Sequence, residues 1–113
     1  MTGDKFRKLA LELPEVVEQS HMGHPDFRVG GKIFATLDGE EKIGMVNLTS
    51  DFQAMVTRSE SEIYYPANGA WGQNGCAMLN LRKARVAPIR AALLVAWHKT
   101  APKTLAINGP QLP

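Results

Sequence analysis

The spacing of apolar residues changes along the chain, and each change marks an element. Phe6, Leu9, Ala10 and Leu13 recur at i, i+3, i+4 and i+7, which predicts a helix near residues 4–13 with one apolar stripe. Asp4 or Thr2 can cap its start, and Pro14 stops it. Residues 16–22 read as extended. Phe27 and Val29 then alternate with Arg28, and Ile33 alternates around Phe34, so residues 26–29 and 32–37 read as two strands of a half-buried ribbon. Gly30-Gly31 between them can take the positive φ angles of a tight hairpin turn. A second turn at Asp38-Gly39-Glu40-Glu41 returns the chain into a strand from Lys42 to Leu48.

In the second half, Ser50 and Gln53 fit a capping box for a short helix with Phe52, Met55 and Val56 on its apolar face. Tyr64-Tyr65-Pro66-Ala67-Asn68-Gly69 reads as a turn-rich aromatic loop. Trp71 to Leu81 reads as a loop entering a strand, with Cys76 and Met78 on one face and Ala77, Leu79 and Leu81 on the other. Val86, Ile89, Leu93, Ala96 and Trp97 form the stripe of a last helix over 86–100, and Pro88 sits harmlessly in its first turn. The stretch after Pro102 holds two more prolines and few anchors, and reads as loose. The fold class that follows is α+β: a two-layer sandwich with one antiparallel sheet of about five strands. The N- and C-terminal helices cover one face, and the other is partly covered or left for a partner. Phe6, Leu9, Leu13, Val29 or Ile33, Phe34, Leu48, Ile89, Leu93 and Trp97 are the expected core.

A chain of 113 residues is one domain on size alone, here residues 1–101 with a Pro-containing tail over 102–113. The longest apolar run, Ala91 to Trp97, is too short to span a bilayer. No apolar signal segment follows the charged N-terminus. Cys76 is the single cysteine and has no internal disulfide partner, so the expectation is a soluble cytoplasmic protein; a monomer is expected as well. Charge is uneven along the chain. Residues 1–62 carry 7 basic and 11 acidic side chains, whereas residues 63–113 carry 6 basic and none acidic. An acid-free half suits either a solvated helix face or a surface that meets anions.

The block Gly23-His24-Pro25 followed by Phe27-Arg28-Val29-Gly30-Gly31-Lys32-Ile33-Phe34-Ala35 resembles the MmcQ/YjbR family. Val46-Asn47-Leu48 and Tyr65-Pro66-Ala67 extend the resemblance, which covers roughly residues 5–100. These are small bacterial proteins often labelled DNA-binding. The resemblance implies a frataxin-like, double-wing fold. The chain departs where relatives carry a Gly-Trp-type aromatic at the start of the last strand, for it has Gly75-Cys76.

No residue set carries a catalytic signature, and the expectation is a protein that is not an enzyme and uses no cofactor. His21 and His24 have metal-pair spacing, but residues three apart on a strand point to opposite faces, so both reach one ion only across a bend. No metal is expected. Frataxin-like iron binding needs clustered carboxylates, whereas Asp4 and Glu12 are interspersed with Lys5, Arg7 and Lys8, and Glu15 and Glu18 add no cluster. Cys76 beside His24 or His98 would need a base within reach, and it reads more simply as a small buried hydrophobe. Weak, non-specific DNA binding through phosphates is the leading functional reading. It uses Arg28 and Lys32 on the hairpin with Arg82, Lys83, Arg85 and Arg90 at the last strand–helix junction. The alternative is a protein- or small-ligand-binding module with His24, Tyr64, Tyr65 and Trp71 as its surface.

Overall fold

A computed structural model describes residues 1–112. Helix α1 (Gly3–Leu11) is followed by strands β1 (Val17–His21), β2 (His24–Val29), β3 (Lys32–Leu37) and β4 (Ile43–Asn47). Helix α2 (Ser50–Ser59), strand β5 (Tyr64–Pro66), helix α3 (Gly69–Gln73) and strand β6 (Cys76–Asn80) come next. A single 3-10 turn (Leu81–Lys83) leads into α4 (Val86–Thr100), and α5 (Lys103–Asn108) is the last element. The strands form one six-stranded antiparallel sheet in the order β1-β2-β3-β4-β6-β5.

Period-2 alternation sorts the strand residues onto two faces. Phe27, Val29, Ala35, Leu37, Val46, Tyr64, Ala77 and Leu79 are buried on the inner face, in one core with Phe6 and Leu9 of α1, Val56 of α2, and Ile89, Leu93 and Trp97 of α4. The two terminal helices therefore lie on the same face, as expected. Phe6 meets Phe27 edge to face at a centroid distance of 6.1 Å. Trp97 is fully buried, and its Nε1 donates to the Pro14 carbonyl at 3.0 Å, fastening the chain after α1 to the centre of the core.

One irregularity decides which β3 residues face inward. Phe27 pairs with Ala35 but Arg28 pairs with Ile33, so Phe34 is an extra residue on β3, a β-bulge. Phe34 and Ala35 are consequently both buried, while Ile33 and Thr36 stay half-buried.

Arg7 ties α1 to the sheet. Its guanidinium donates to both Glu18 oxygens at 2.9 and 3.0 Å, to Asp4 at 2.6 Å and to Glu41 at 3.3 and 3.2 Å. Asp4 of the first helix, Glu18 of the first strand and Glu41 of the β3–β4 turn thus meet at one guanidinium, while Glu12 pairs elsewhere, with Arg90. Glu18 is also an inward-pointing charge on edge strand β1, a device that discourages edge-to-edge pairing.

Several sequence expectations are corrected. The sheet has six strands rather than about five, because Tyr64-Tyr65-Pro66 pairs with β6 instead of forming a loop. Trp71 lies on a helix, α3, not in a loop entering a strand. The first helix ends at Leu11 rather than at residue 13, and of its two expected caps Thr2 serves, accepting from the Lys5 amide. Thr49, not Ser50, caps α2 by accepting from the Phe52 amide at 3.2 Å, which frees Gln53 for another task. Met55 and Val86 stand exposed rather than in the core. The tail is not loose: α5 packs Leu105 and Ala106 against the core, and Pro102 seats against the hairpin turn. The packed domain therefore continues past residue 101.

The hairpin turn takes positive φ at both glycines, 60° at Gly30 and 79° at Gly31. A Cβ at Gly30 would also lie 2.8 Å from Pro102 Cδ, whereas one at Gly31 would meet nothing within 4 Å. Gly31→Ala is expected to cost about 1 kcal/mol through backbone strain, and Gly30→Ala distinctly more, as read from urea-unfolding midpoints. In the same assay Leu93→Ala, which empties a site 1% exposed, is expected to cost about 2–5 kcal/mol.

Candidate functional site

No helix covers the middle of the outer sheet face, and a groove of about 520 Å³ lies there. Ile33 and Thr36 of β3, Ile43 and Met45 of β4 and Met78 of β6 line it as outward-facing strand residues. Thr36 pairs with Met45, and Met45 with Met78, so these side chains stand side by side across three strands. The β1–β2 turn contributes His21 and His24, and the other border is Ala67, Asn68 and Trp71.

The histidines come together through a turn that the sequence reading did not place. Met22 and Gly23 both take positive φ, 52° and 80°, and make His21 and His24 cross-strand partners. The bend that the spacing demanded thus exists. Among the described residues, however, no group of three or more His, Cys, Asp or Glu side chains gathers to hold a metal ion.

Trp71 is positioned by a chain of polar contacts. The Gln53 side-chain amide donates to the carbonyls of Gly72 and Cys76, each at 2.8 Å, pinning α3 and β6 to α2. At Gly72 a Cβ would lie 1.8 Å from the Ala67 carbonyl oxygen, so only glycine lets α3 fold back this closely. Lys99 on α4 donates to Asn47 Oδ1 and the Leu48 carbonyl, both at 2.6 Å, and to the Asn74 carbonyl just after α3. Held this way, the Trp71 indole remains 57% exposed and borders the groove. It also borders a smaller recess of about 290 Å³ that Cys76 and Asn47 line.

Two carboxylates belong to the groove. Asp26 is 2% exposed and receives Arg28 in a bidentate pair, Nε to Oδ1 at 2.8 Å and an Nη to Oδ2 at 3.1 Å. That bond raises the Arg28 pKa above its ordinary value and commits the guanidinium to its neighbour. Asp38 Oδ1 accepts the Lys42 and Ile43 amides at 2.7 and 3.1 Å. No lysine or arginine lines the groove.

The proposed anion-binding residues do not form one surface. Arg28 faces Asp26, and Arg90 pairs with Glu12 at 2.9 Å, so neither is a free cation. The hairpin that carries Lys32 sits at Pro102, beyond the C-terminal end of α4, while Arg82, Lys83 and Arg85 precede its N-terminal end. The helix has 15 residues, so the two groups lie about 22 Å apart along it. Of the proposed ligand-facing residues, the fold brings His24 and Trp71 to the same groove. Tyr65 is exposed on the outer face opposite Met78. Tyr64 points inward, 2% exposed, because strand alternation sends it opposite to Tyr65; burial raises its phenol pKa. The sequence reading missed Met45, Met78, Thr36 and Asp38. Met45 and Met78 were visible as strand apolars, but their face is settled only by the register.

Cys76 is buried and its thiol contacts Asn47 Oδ1 at 3.4 Å rather than a histidine. Burial pushes the thiol pKa up, and the Lys99 charge offsets this only in part. Native protein is therefore expected to react with a thiol reagent at pH 8 far more slowly than urea-unfolded protein, in a timed absorbance assay.

An open-faced α+β sandwich with an apolar groove on its uncovered sheet face is the class that this architecture defines. The YjbR family model matches residues 11–99, and the chain belongs to that family. The fold also matches the crystal structure of Deinococcus radiodurans protein DR2400, described by the domain family DUF419, with a TM-score of 0.75 at 15% identity. That match covers 87% of this chain and 77% of the other. No curated protein matches the chain. No helix among the described residues is long and apolar enough to cross a membrane.

Proposed function

We propose that this YjbR-family protein is a non-catalytic binding module that takes a small, largely apolar ligand in the groove of its outer sheet face. The carrying observation is the convergence of Trp71 and His24, far apart in sequence, on one concave site floored by Ile43, Met45 and Met78. Its volume of about 520 Å³ falls within the range of small-molecule sites, roughly 300–1,000 Å³. Mostly apolar walls with a few convergent polar groups are the usual build of such sites. The absence of lysine and arginine from the lining disfavours a polyanion there. The thiol that could serve as a nucleophile is buried, with its pKa raised.

The test is a fragment screen on ¹⁵N-labelled protein. Expected hits shift the amides of residues 43–45, 71 and 78, and Met78→Lys, which places a charge in the groove, abolishes those shifts while the rest of the spectrum is kept. Hits scattered over the α4 side, or none in a library of several hundred compounds, would overturn the reading.

Weak DNA binding is a second reading, and one observation favours it. Arg82, Lys83 and Arg85 are exposed together just before α4, and no ion pair among the described residues engages them. Three phosphate contacts would give a log–log salt slope of about −3 and affinity around 10⁻⁴–10⁻⁶ M. The double variant R82E/R85E is expected to flatten that slope by about 2 in a mobility-shift titration with random duplex. A double variant that binds like the parent would remove this reading.

A further inference from the structure

Resting on the groove as a ligand site, we propose that its ligand is an aromatic amine: a ring that stacks on Trp71, joined by a short apolar linker to a cationic donor group at the Asp38 end. Three features of the groove lead there.

The first is the character of the Trp71 end. Trp71 presents a half-exposed indole, and Met45 and Met78 stand side by side on the floor of the same groove. An indole face attracts another ring in offset or edge-to-face contact, and thioether sulfur adds favourable contacts with an aromatic edge. A saturated chain gains only area burial from the same surfaces.

The second is the charge of the lining. It contains two carboxylates, two histidines and no lysine or arginine. Asp26 is already neutralised by Arg28. Asp38 is not: its Oδ1 holds the turn amides, and its Oδ2 has no hydrogen-bond partner among the described residues. The nearest cation in sequence, Lys42, pairs instead with Glu40 at 3.2 Å. One carboxylate oxygen at the edge of an apolar groove complements an ammonium and repels an anion.

The third is the span. Asp38 sits by the start of β4, where its Oδ1 accepts the Ile43 amide and its own amide donates to the Ile43 carbonyl, and Trp71 sits by the end of β4, lining one recess with Asn47. Ile43 to Asn47 is four steps of strand, roughly 14 Å at about 3.4 Å per residue. A ring on the indole therefore needs a linker of several carbons to place its amine at Asp38. A bare aromatic amine is too short to meet both.

The probes are 4-phenylbutylamine, its carboxylate counterpart 5-phenylvalerate, and 4-cyclohexylbutylamine, titrated into the ¹⁵N-labelled full chain. For a ligand of this size a Kd on the order of 1 mM is expected for the phenyl amine. Both other probes should bind at least about fivefold more weakly, the carboxylate through repulsion and the cyclohexyl amine through lost stacking. Trp71→Ala should weaken the phenyl amine by about fivefold. Asp38→Asn keeps an oxygen for the two turn amides, so the turn survives, and it should remove the preference for amine over carboxylate. Near-native spectra of both variants confirm that folding is intact. If the carboxylate or the cyclohexyl amine binds as well as the phenyl amine, or if Asp38→Asn leaves the preference unchanged, the aromatic-amine assignment fails. Groove shifts caused by any of the probes would still leave the ligand-site reading standing. Silence of the groove toward all three probes and the wider screen would bring down both.

Discussion

The β-bulge at Phe34 sets the phase of the sheet, and with it both the core and the groove. A regular β3 would alternate strictly, so Phe34 and Ala35 would face opposite sides. The extra residue lets both enter the core, beneath α4. It also returns Ile33 and Thr36 to the outer face, on either side of the buried pair, where they line the groove. Removing the bulge would slip the register by one residue and turn an aromatic core residue toward water. The two faces of this sheet are therefore one solution, not two.

Core and site are joined through polar contacts rather than through packing alone. Trp71 rides on a five-residue helix that could not hold itself. Gln53 from α2 and Lys99 from α4 hold the chain that follows Trp71, donating to the carbonyls of Gly72 and Cys76 and of Asn74 respectively. The Lys99 ammonium spends its donors on three oxygens, and desolvation there lowers its pKa. Elements that belong to the covered face thus fix the aromatic wall of the uncovered one.

Charge is redistributed by folding. The acid-poor second half of the chain suggested an anion-facing surface, yet Arg90 crosses to Glu12, and Arg28 is absorbed by Asp26 within its own strand. Around Arg7, carboxylates from α1, β1 and the β3–β4 turn collect about a single guanidinium. Exposed pairs of this kind add little stability singly, but a shared cation fixes the relative placement of three elements. What remains unpaired before α4 is a short basic cluster, not a continuous basic face.

Local pattern alone determined much of this protein. Helical spacing located α1, α2 and α4, alternation located the β2–β3 ribbon, and Gly30-Gly31 located its turn, because each depends on neighbours within a few residues. The one-sided arrangement of the terminal helices also followed, since an antiparallel sheet with so few helices covers one face. Tertiary structure decided the rest. Tyr64-Tyr65-Pro66 looks like a loop until β6 offers it a partner, and α5 looks like a tail until Trp97 and the hairpin give Pro102, Leu105 and Gly109 somewhere to pack. The groove was legible only as two fragments, His24 and Trp71. Their meeting depends on strand register across β3, β4 and β6, a long-range property that no window of neighbouring residues contains.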